Sequence, residues 1–300
     1  MDFSERKVVT PAQRKNGLYE LYEWEGKKVV EVNRFNPLDI FLVCLVPSLT
    51  GCISCIVIAL LYHHDAISNY NWQCGRARLP SLSRIINLPL ERTIWQMVIL
   101  YHAPMRVIGL ATGFTRFARL RSNLCSNTEL FELSRYAYLG FGVLELGLMI
   151  AISIIGEREN IKLHVVLFYA FGLVGMVHFF ANIYCHRYSI YFLKPYGVMA
   201  YRLKVLFFCM YVLSAPVLCA SFFLYWKACI TVAYDIFAIT EYAGVVINIS
   251  FHCLVFFDIR HKVIFSVRHY EPLPPKPIAV TTVIPVNRVP SIQQRSRAQA

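Results

Sequence analysis

The chain has 300 residues, 57% of them hydrophobic and only 16% charged, with a mean hydropathy of +0.48. A water-soluble globule with an ordinarily charged surface does not reach that balance, so the composition points to a polytopic membrane protein. The net charge of +12 does not mark a nucleic-acid-binding protein, because the basic residues lie between apolar runs rather than on one basic domain, and no nucleic-acid partner is expected.

Residues 1–37 read as a polar, basic N-terminal segment. Leu38 to Tyr62 is then the first apolar run, with only Asp39 charged at its edge. A helix of about 20 apolar residues crosses a hydrocarbon core of about 30 Å. This run is too long for the apolar core of a signal peptide, and it reads as a signal anchor. Five more spans follow, at Ile94 to Phe114, Tyr136 to Ile155, Leu163 to Ile183, Val205 to Trp226 and Ile236 to Phe257. The expected fold class is all-α, a six-helix transmembrane bundle over residues 38–258, with residues 259–300 as a basic, Pro-rich, disordered tail. Segments on the side of the termini carry 22 Lys and Arg, and the three alternate loops carry 7. Basic residues close to span ends favour the cytoplasm, so both termini are expected there.

That topology puts two loop cysteines, Cys74 and Cys229, on the non-cytoplasmic side, where a disulfide persists, and they are the expected pair. Cys52 and Cys55 form a C-x-x-C inside an apolar helix with no second ligand pair nearby, so no metal site is expected. "GLATG", Gly109 to Gly113, is a small-xxx-small face suited to close helix approach.

The informative residues are the polar ones at bilayer depth. A charged side chain there costs at least about 2.5–3.5 kcal/mol, so such groups face a bundle interior and pair. Counting about 1.5 Å per residue from the non-cytoplasmic end of each span, His102 lies about 12 Å deep, Arg106 about 18 Å and Glu145 about 15 Å. His102 and Arg106, four residues apart, share a helix face, and Glu145 is the expected ion-pair partner of Arg106. Glu241, Asn248 and His252 share a stripe of the sixth span, and His178 is the buried ionisable group of the fourth. Together they outline a polar cavity that opens toward the lumen.

"CGRARLPSLS" (Cys74 to Ser83), "YHAPMR" (Tyr101 to Arg106), Glu145 in "VLELGLM" and "YDIFAITEYAGVVINISFHCLVFFD" (Tyr234 to Asp258) resemble the post-GPI-attachment factor 2 family. The resemblance runs from about Asn36 to Val267. It implies a six-span protein of the Golgi or endoplasmic reticulum that remodels GPI-anchor lipid by returning a saturated acyl chain to lyso-GPI. Membrane lipids and GPI-anchored proteins are then the partners. Six-span DRAM-like relatives supply the alternative, a non-enzymatic transporter or adaptor.

Esterification needs a base for the hydroxyl proton, donors for the oxyanion and a dock for the lipid phosphate. His102 is the expected base, oriented by Glu145, with His252 completing the catalytic set. Arg106, Asn248, Glu241 and His178 are the expected substrate contacts. No cofactor is expected, and the acyl donor is not legible. The patterns H-x-x-x-x-D, H-x-x-x-H and G-x-S-x-G are absent. Ser81 and Ser83, in "LPSLS", read as cap or turn residues rather than nucleophiles.

Overall fold

The apolar runs fold as six long helices: α1 (Pro37–Leu61), α4 (Pro89–Arg119), α5 (Thr128–Ile154), α6 (Ile161–Arg187), α7 (Pro195–Ala228) and α8 (Thr231–Cys253). Two short helices, α2 (His64–Ser68) and α3 (Leu82–Ile85), lie between α1 and α4, and a 3-10 turn spans Ile190–Leu193. The computed structural model describes residues 14–15, 18–24, 27–35, 37–69, 72, 74–123, 125–193, 195–255, 257 and 265–272. Helices α4 to α8 each have the length and apolar composition to cross a membrane, and α1 is apolar over Leu45–Leu61.

Most helices overrun their apolar cores because their polar ends are helical too. Pro89 opens α4 with its φ already set for the helix, Glu91 lies in the first turn, and Arg116 and Arg119 face the carbonyl end. Asn127 caps α5 by accepting the Leu130 N–H at 2.9 Å, and Asn160 caps α6 by accepting the Leu163 N–H at 3.1 Å. These turns dilute a hydropathy window, which is why the sequence places α5 eight residues too late.

Each long helix packs on the next in sequence, and α8 returns to α1, which closes a ring. Leu133, Leu173, Leu213 and Phe223 point outward and exposed. In water such a surface is a liability, whereas against lipid tails it costs nothing. The Gly109–Gly113 face is used for close approach: Tyr138 of α5 packs at Gly113 and donates from its hydroxyl to the Gly109 carbonyl at 3.0 Å.

The α1–α4 connection folds over one end of this ring. Cys74 is disulfide-bonded to Cys229, with Cα atoms 4.8 Å apart. Asp235 accepts the backbone N–H groups of Arg78 and Leu79, both at 2.8 Å, and Tyr225 donates to the carbonyl of Gly75, whose φ of +99° suits glycine. Arg92 reaches across to the Ile154 carbonyl and to Glu159. This is the capped end. At the other end the loops after α4 and α6 join through Ile190 N–H to the Leu120 carbonyl at 2.7 Å.

A second unit contains strands β1 (Arg14–Lys15), β2 (Leu18–Trp24), β3 (Lys27–Phe35) and β4 (Phe265–Pro272), in the sheet order β1-β2-β3-β4. The β1–β2 and β2–β3 pairs are antiparallel. The sequence reading has no regular element in either terminal segment, and the structure adds strands over residues 14–15, 18–24, 27–35 and 265–272. Period-two patterns are short and average out in a hydropathy window, and β4 finds its partner at the opposite end of the chain. The Pro-rich stretch 273–300 lies outside the described residues.

Candidate active site

Halfway along the helices, Arg106 of α4 and Glu145 of α5 form a fully buried ion pair, Nη2 to Oε2 at 2.8 Å. The other carboxylate oxygen accepts Asn248 Nδ2 at 2.9 Å and His252 Nε2 at 3.2 Å, both from α8. His178 of α6 donates from Nδ1 to the Tyr138 carbonyl at 2.9 Å and stacks on His252, with ring centroids 5.4 Å apart. Gly142 and Gly175 make room for this: a Cβ at Gly142 would stand 2.8 Å from the His178 ring, and one at Gly175 would stand 3.3 Å from Glu145 Oε1. One arginine, one carboxylate and three neutral donors or rings thus tie α4, α5, α6 and α8 together.

His102, one turn toward the capped end from Arg106, is buried at 2% exposure, and neither ring nitrogen has a hydrogen-bond partner among the described residues. It faces a cavity of about 690 Å³ whose wall is apolar except for Ser83, His102, Ser153, His164, Glu241 and Asn248. Here α3, α4, α5, α6 and α8 converge beneath the cap.

The capped-end wall holds a second polar group. Glu241 of α8 accepts the Leu82 N–H at 2.7 Å on one oxygen and the Ser83 hydroxyl at 3.1 Å on the other, which pins α3 to α8. Ser83 Oγ also lies 3.0 Å from His164 Nε2, and His164 Nδ1 lies 2.6 Å from the Ile155 carbonyl. A carbonyl only accepts, so Nδ1 carries a proton; the single Ser83 hydroxyl proton then turns either to Glu241 Oε1 or to the Nε2 lone pair, and not to both at once. Ser81 caps α3 by accepting the Arg84 N–H and also accepts from the Tyr234 hydroxyl at 2.9 Å. Beside them the Arg84 guanidinium lies over the Trp72 ring at 3.8 Å and 3.8 Å from Glu157, in the loop before α6. Burial pushes the Glu157 carboxyl above its ordinary value, against the pull of Arg84.

Two further cavities adjoin. One, of about 470 Å³, is lined by Ser83, His164, Glu157 and Tyr234, and the other, of about 670 Å³, is an apolar space between α6, α7 and α8 with Glu241 at its edge. Phe168 lines all three.

The structure therefore divides the residues singled out from sequence. His102, Glu241 and Asn248 line the space beneath the cap, whereas Arg106, His178 and His252 line a separate space of about 340 Å³. Glu145 does not orient His102: its oxygens are taken by Arg106, Asn248 and His252, and the turn of helix between His102 and Arg106 puts the two beyond its common reach. His164 is missing from the sequence reading, and Ser83 is read there as a turn residue. Their contact spans 81 residues and carries no local signature.

Glu145, His178 and His252 also offer one ligand atom each within 4.8 Å of one another, a spacing that a divalent cation can bridge. Arg106 already neutralises that carboxylate, and the His178 Nδ1 proton is committed to a carbonyl, so the group as it stands is a closed hydrogen-bonded cluster.

A family model described as Frag1/DRAM/Sfk1/Cwh43P N-terminal domain matches residues 38–262. Two proteins named Post-GPI attachment to proteins factor 2, from Caenorhabditis briggsae and Caenorhabditis elegans, are each 26% identical to this chain, over 79% of it and 93% of their own lengths. A protein named Acyltransferase PGAP2 from Danio rerio is 29% identical over 58% of this chain and 73% of its own length. No solved structure matches the chain.

Proposed function

Because the chain belongs to the Frag1/DRAM/Sfk1/Cwh43P N-terminal domain family, we propose that it remodels GPI anchors in the Golgi or endoplasmic reticulum membrane by transferring a saturated acyl chain to lyso-GPI. The observation that carries this reading is the space beneath the cap, where an apolar wall meets a few convergent polar groups, the character of a site for an amphipathic ligand. In this reading the capped end faces the lumen and both termini face the cytoplasm, in keeping with the 22 to 7 division of basic residues.

His102 is the base that takes the proton of the acceptor hydroxyl, since its ring nitrogens have no hydrogen-bond partner among the described residues. Asn248 and Glu241 contact the substrate from α8, and the adjoining apolar space between α6, α7 and α8 takes the acyl chain. Arg106, Glu145, His252 and His178 hold the floor of the cavity by fixing Asn248 and the four helices that meet there.

The test is purified protein in liposomes with lyso-GPI and radiolabelled stearoyl-phosphatidylcholine or stearoyl-CoA. Diacyl GPI carrying the label is expected, at a rate lowered by His102→Ala. Saturable lyso-GPI binding with no transfer from either donor would turn the reading toward the transporter or adaptor function.

A further inference from the structure

The Ser83–His164 contact has the parts of an activated nucleophile. Such a site needs a hydroxyl within about 2.6–3.2 Å of a base, with that base oriented by a third group. Ser83 Oγ to His164 Nε2 is 3.0 Å, and the Ile155 carbonyl, 2.6 Å from Nδ1, fixes both the tautomer and the tilt of the ring. His164 is buried at 4% exposure, while Ser83 is partly exposed and lines two cavities. α3 is also held from behind, because Glu241 accepts the preceding N–H at 2.7 Å, and rotation of the one Ser83 proton from Glu241 Oε1, 3.1 Å away, to His164 Nε2 forms the base-paired nucleophile. Structural serines in apolar helices bond to a carbonyl three or four residues back, as Ser153 does with Met149, Ser214 with Tyr211 and Ser221 with Leu218. Ser83 instead lies within hydrogen-bond distance of two titratable side chains on two other helices.

Depth supports the same assignment. His164 is the fourth residue of α6, about 5 Å along its axis from the first, so it lies near the end of that helix rather than midway along it.

We propose that Ser83 is the nucleophile of a two-step transfer and carries the acyl chain as an ester on its Oγ, with His164 as its base and an activated acyl group, a phospholipid ester or an acyl thioester, as the donor. The proposal rests on the acyl-transfer reading above and adds the covalent route. In the first half-reaction the Ser83 O–H bond breaks and the proton passes to His164 Nε2. Oγ bonds to the donor carbonyl carbon, and the donor C–O or C–S bond breaks as its oxygen or sulfur takes the proton from His164. In the second, the acceptor hydroxyl gives its proton to His102 and its oxygen bonds to the acyl carbon. The Ser83 Oγ–C bond breaks, and that proton reaches Oγ across the space that Ser83 and His102 both line, so that Ser83 and both histidines end as they began. No net proton or electron is gained. Besides lining the substrate space, Glu241 positions Ser83 in this scheme.

The experiment uses the full chain in liposomes with radiolabelled stearoyl-phosphatidylcholine in one arm and stearoyl-CoA in the other, first without acceptor. Label should accumulate on the protein toward one acyl group per chain, map to the peptide containing Ser83, resist neutral hydroxylamine and chase onto added lyso-GPI. The arm that labels identifies the donor as ester or thioester. Ser83→Cys should convert the adduct to a thioester that neutral hydroxylamine cleaves, a signature that a purely structural serine would not give. Ser83→Ala should lose the adduct and slow transfer at least about 100-fold. Wild-type protein that transfers stearate with no adduct at any time, or Ser83→Ala that transfers at the wild-type rate, would overturn the covalent route and leave acyl transfer standing. Absence of transfer and adduct alike in wild type, from both donors, would remove both.

Discussion

His164 and His178 lie on the same helix, 14 residues or about 21 Å apart, and do different work. His178 is enclosed by Tyr138 and His252 and belongs to a group whose charge and hydrogen bonds close on themselves around Glu145. His164 lies beside a partly exposed hydroxyl where two cavities meet. A polar group deep in a membrane protein must be satisfied to exist there at all, and once satisfied it has little left with which to react. At the capped end water and lipid headgroups relax that demand, and partners can remain open. Depth thus separates the groups that hold the bundle from those that act in it.

The comparison breaks first at Glu145. Glu145→Ala leaves Arg106 buried without its carboxylate, which should cost about 3–5 kcal/mol, read as a large fall in melting temperature in detergent. Replacing both residues, Arg106→Met with Glu145→Leu, should restore most of that stability, because an apolar pair of similar volume needs no partner. A double variant as unstable as Glu145→Ala would give the cluster a role beyond charge balance.

The cap comes next. Cys74→Ser opens a disulfide that closes a loop of 155 residues, and it should cost about 2–5 kcal/mol in non-reducing thermal unfolding. Dithiothreitol should lower the wild-type melting temperature to match and leave the variant unchanged.

His102→Ala sharpens the contrast within α4. It removes a ring with no hydrogen bond to lose among the described residues, so transfer should fall at least about 100-fold with little change in melting temperature, the reverse of the Glu145 profile.

The smallest effect belongs to Glu157. Its carboxyl is raised by burial, so the folded state binds that proton more tightly than the unfolded chain does. The resulting stability is fully present below the ordinary carboxylate value and is lost as pH rises through the raised one. Glu157→Gln should flatten that part of the stability–pH curve, and an unchanged slope would place the titration elsewhere.

How much of this the chain discloses follows from the range of each interaction. The six apolar runs are local, and each emerges as a helix. Counting residues from the span ends sets Glu145 level with Arg106, and the two lie 2.8 Å apart, since helical rise is fixed and a buried charge has few places to find its opposite. Topology leaves Cys74 and Cys229 together in loops on one side, and they are joined in the structure. What stays hidden is any contact that depends on how helices rotate against each other. Depth counting cannot tell that Asn248 and His252 face Glu145 rather than His102, nor that Ser83 meets His164 and Glu241 from 81 and 158 residues away. The sheet is hidden for a related reason, because β4 pairs with a strand from the other end of the chain.

The central claim, that substrate occupies the space beneath the cap and not the space around Arg106, is tested most directly by photo-crosslinking. A lyso-phospholipid analogue with a diazirine midway along its chain, activated on the protein in liposomes, should label residues lining the three capped-end cavities, such as Val98, Ile152, Phe168 and Val245. Competition by lyso-GPI should remove that label. Labelling confined to Met105, Gly109, Leu110 and Val255, around Arg106, would contradict the account and return the site to the deep ionic cluster.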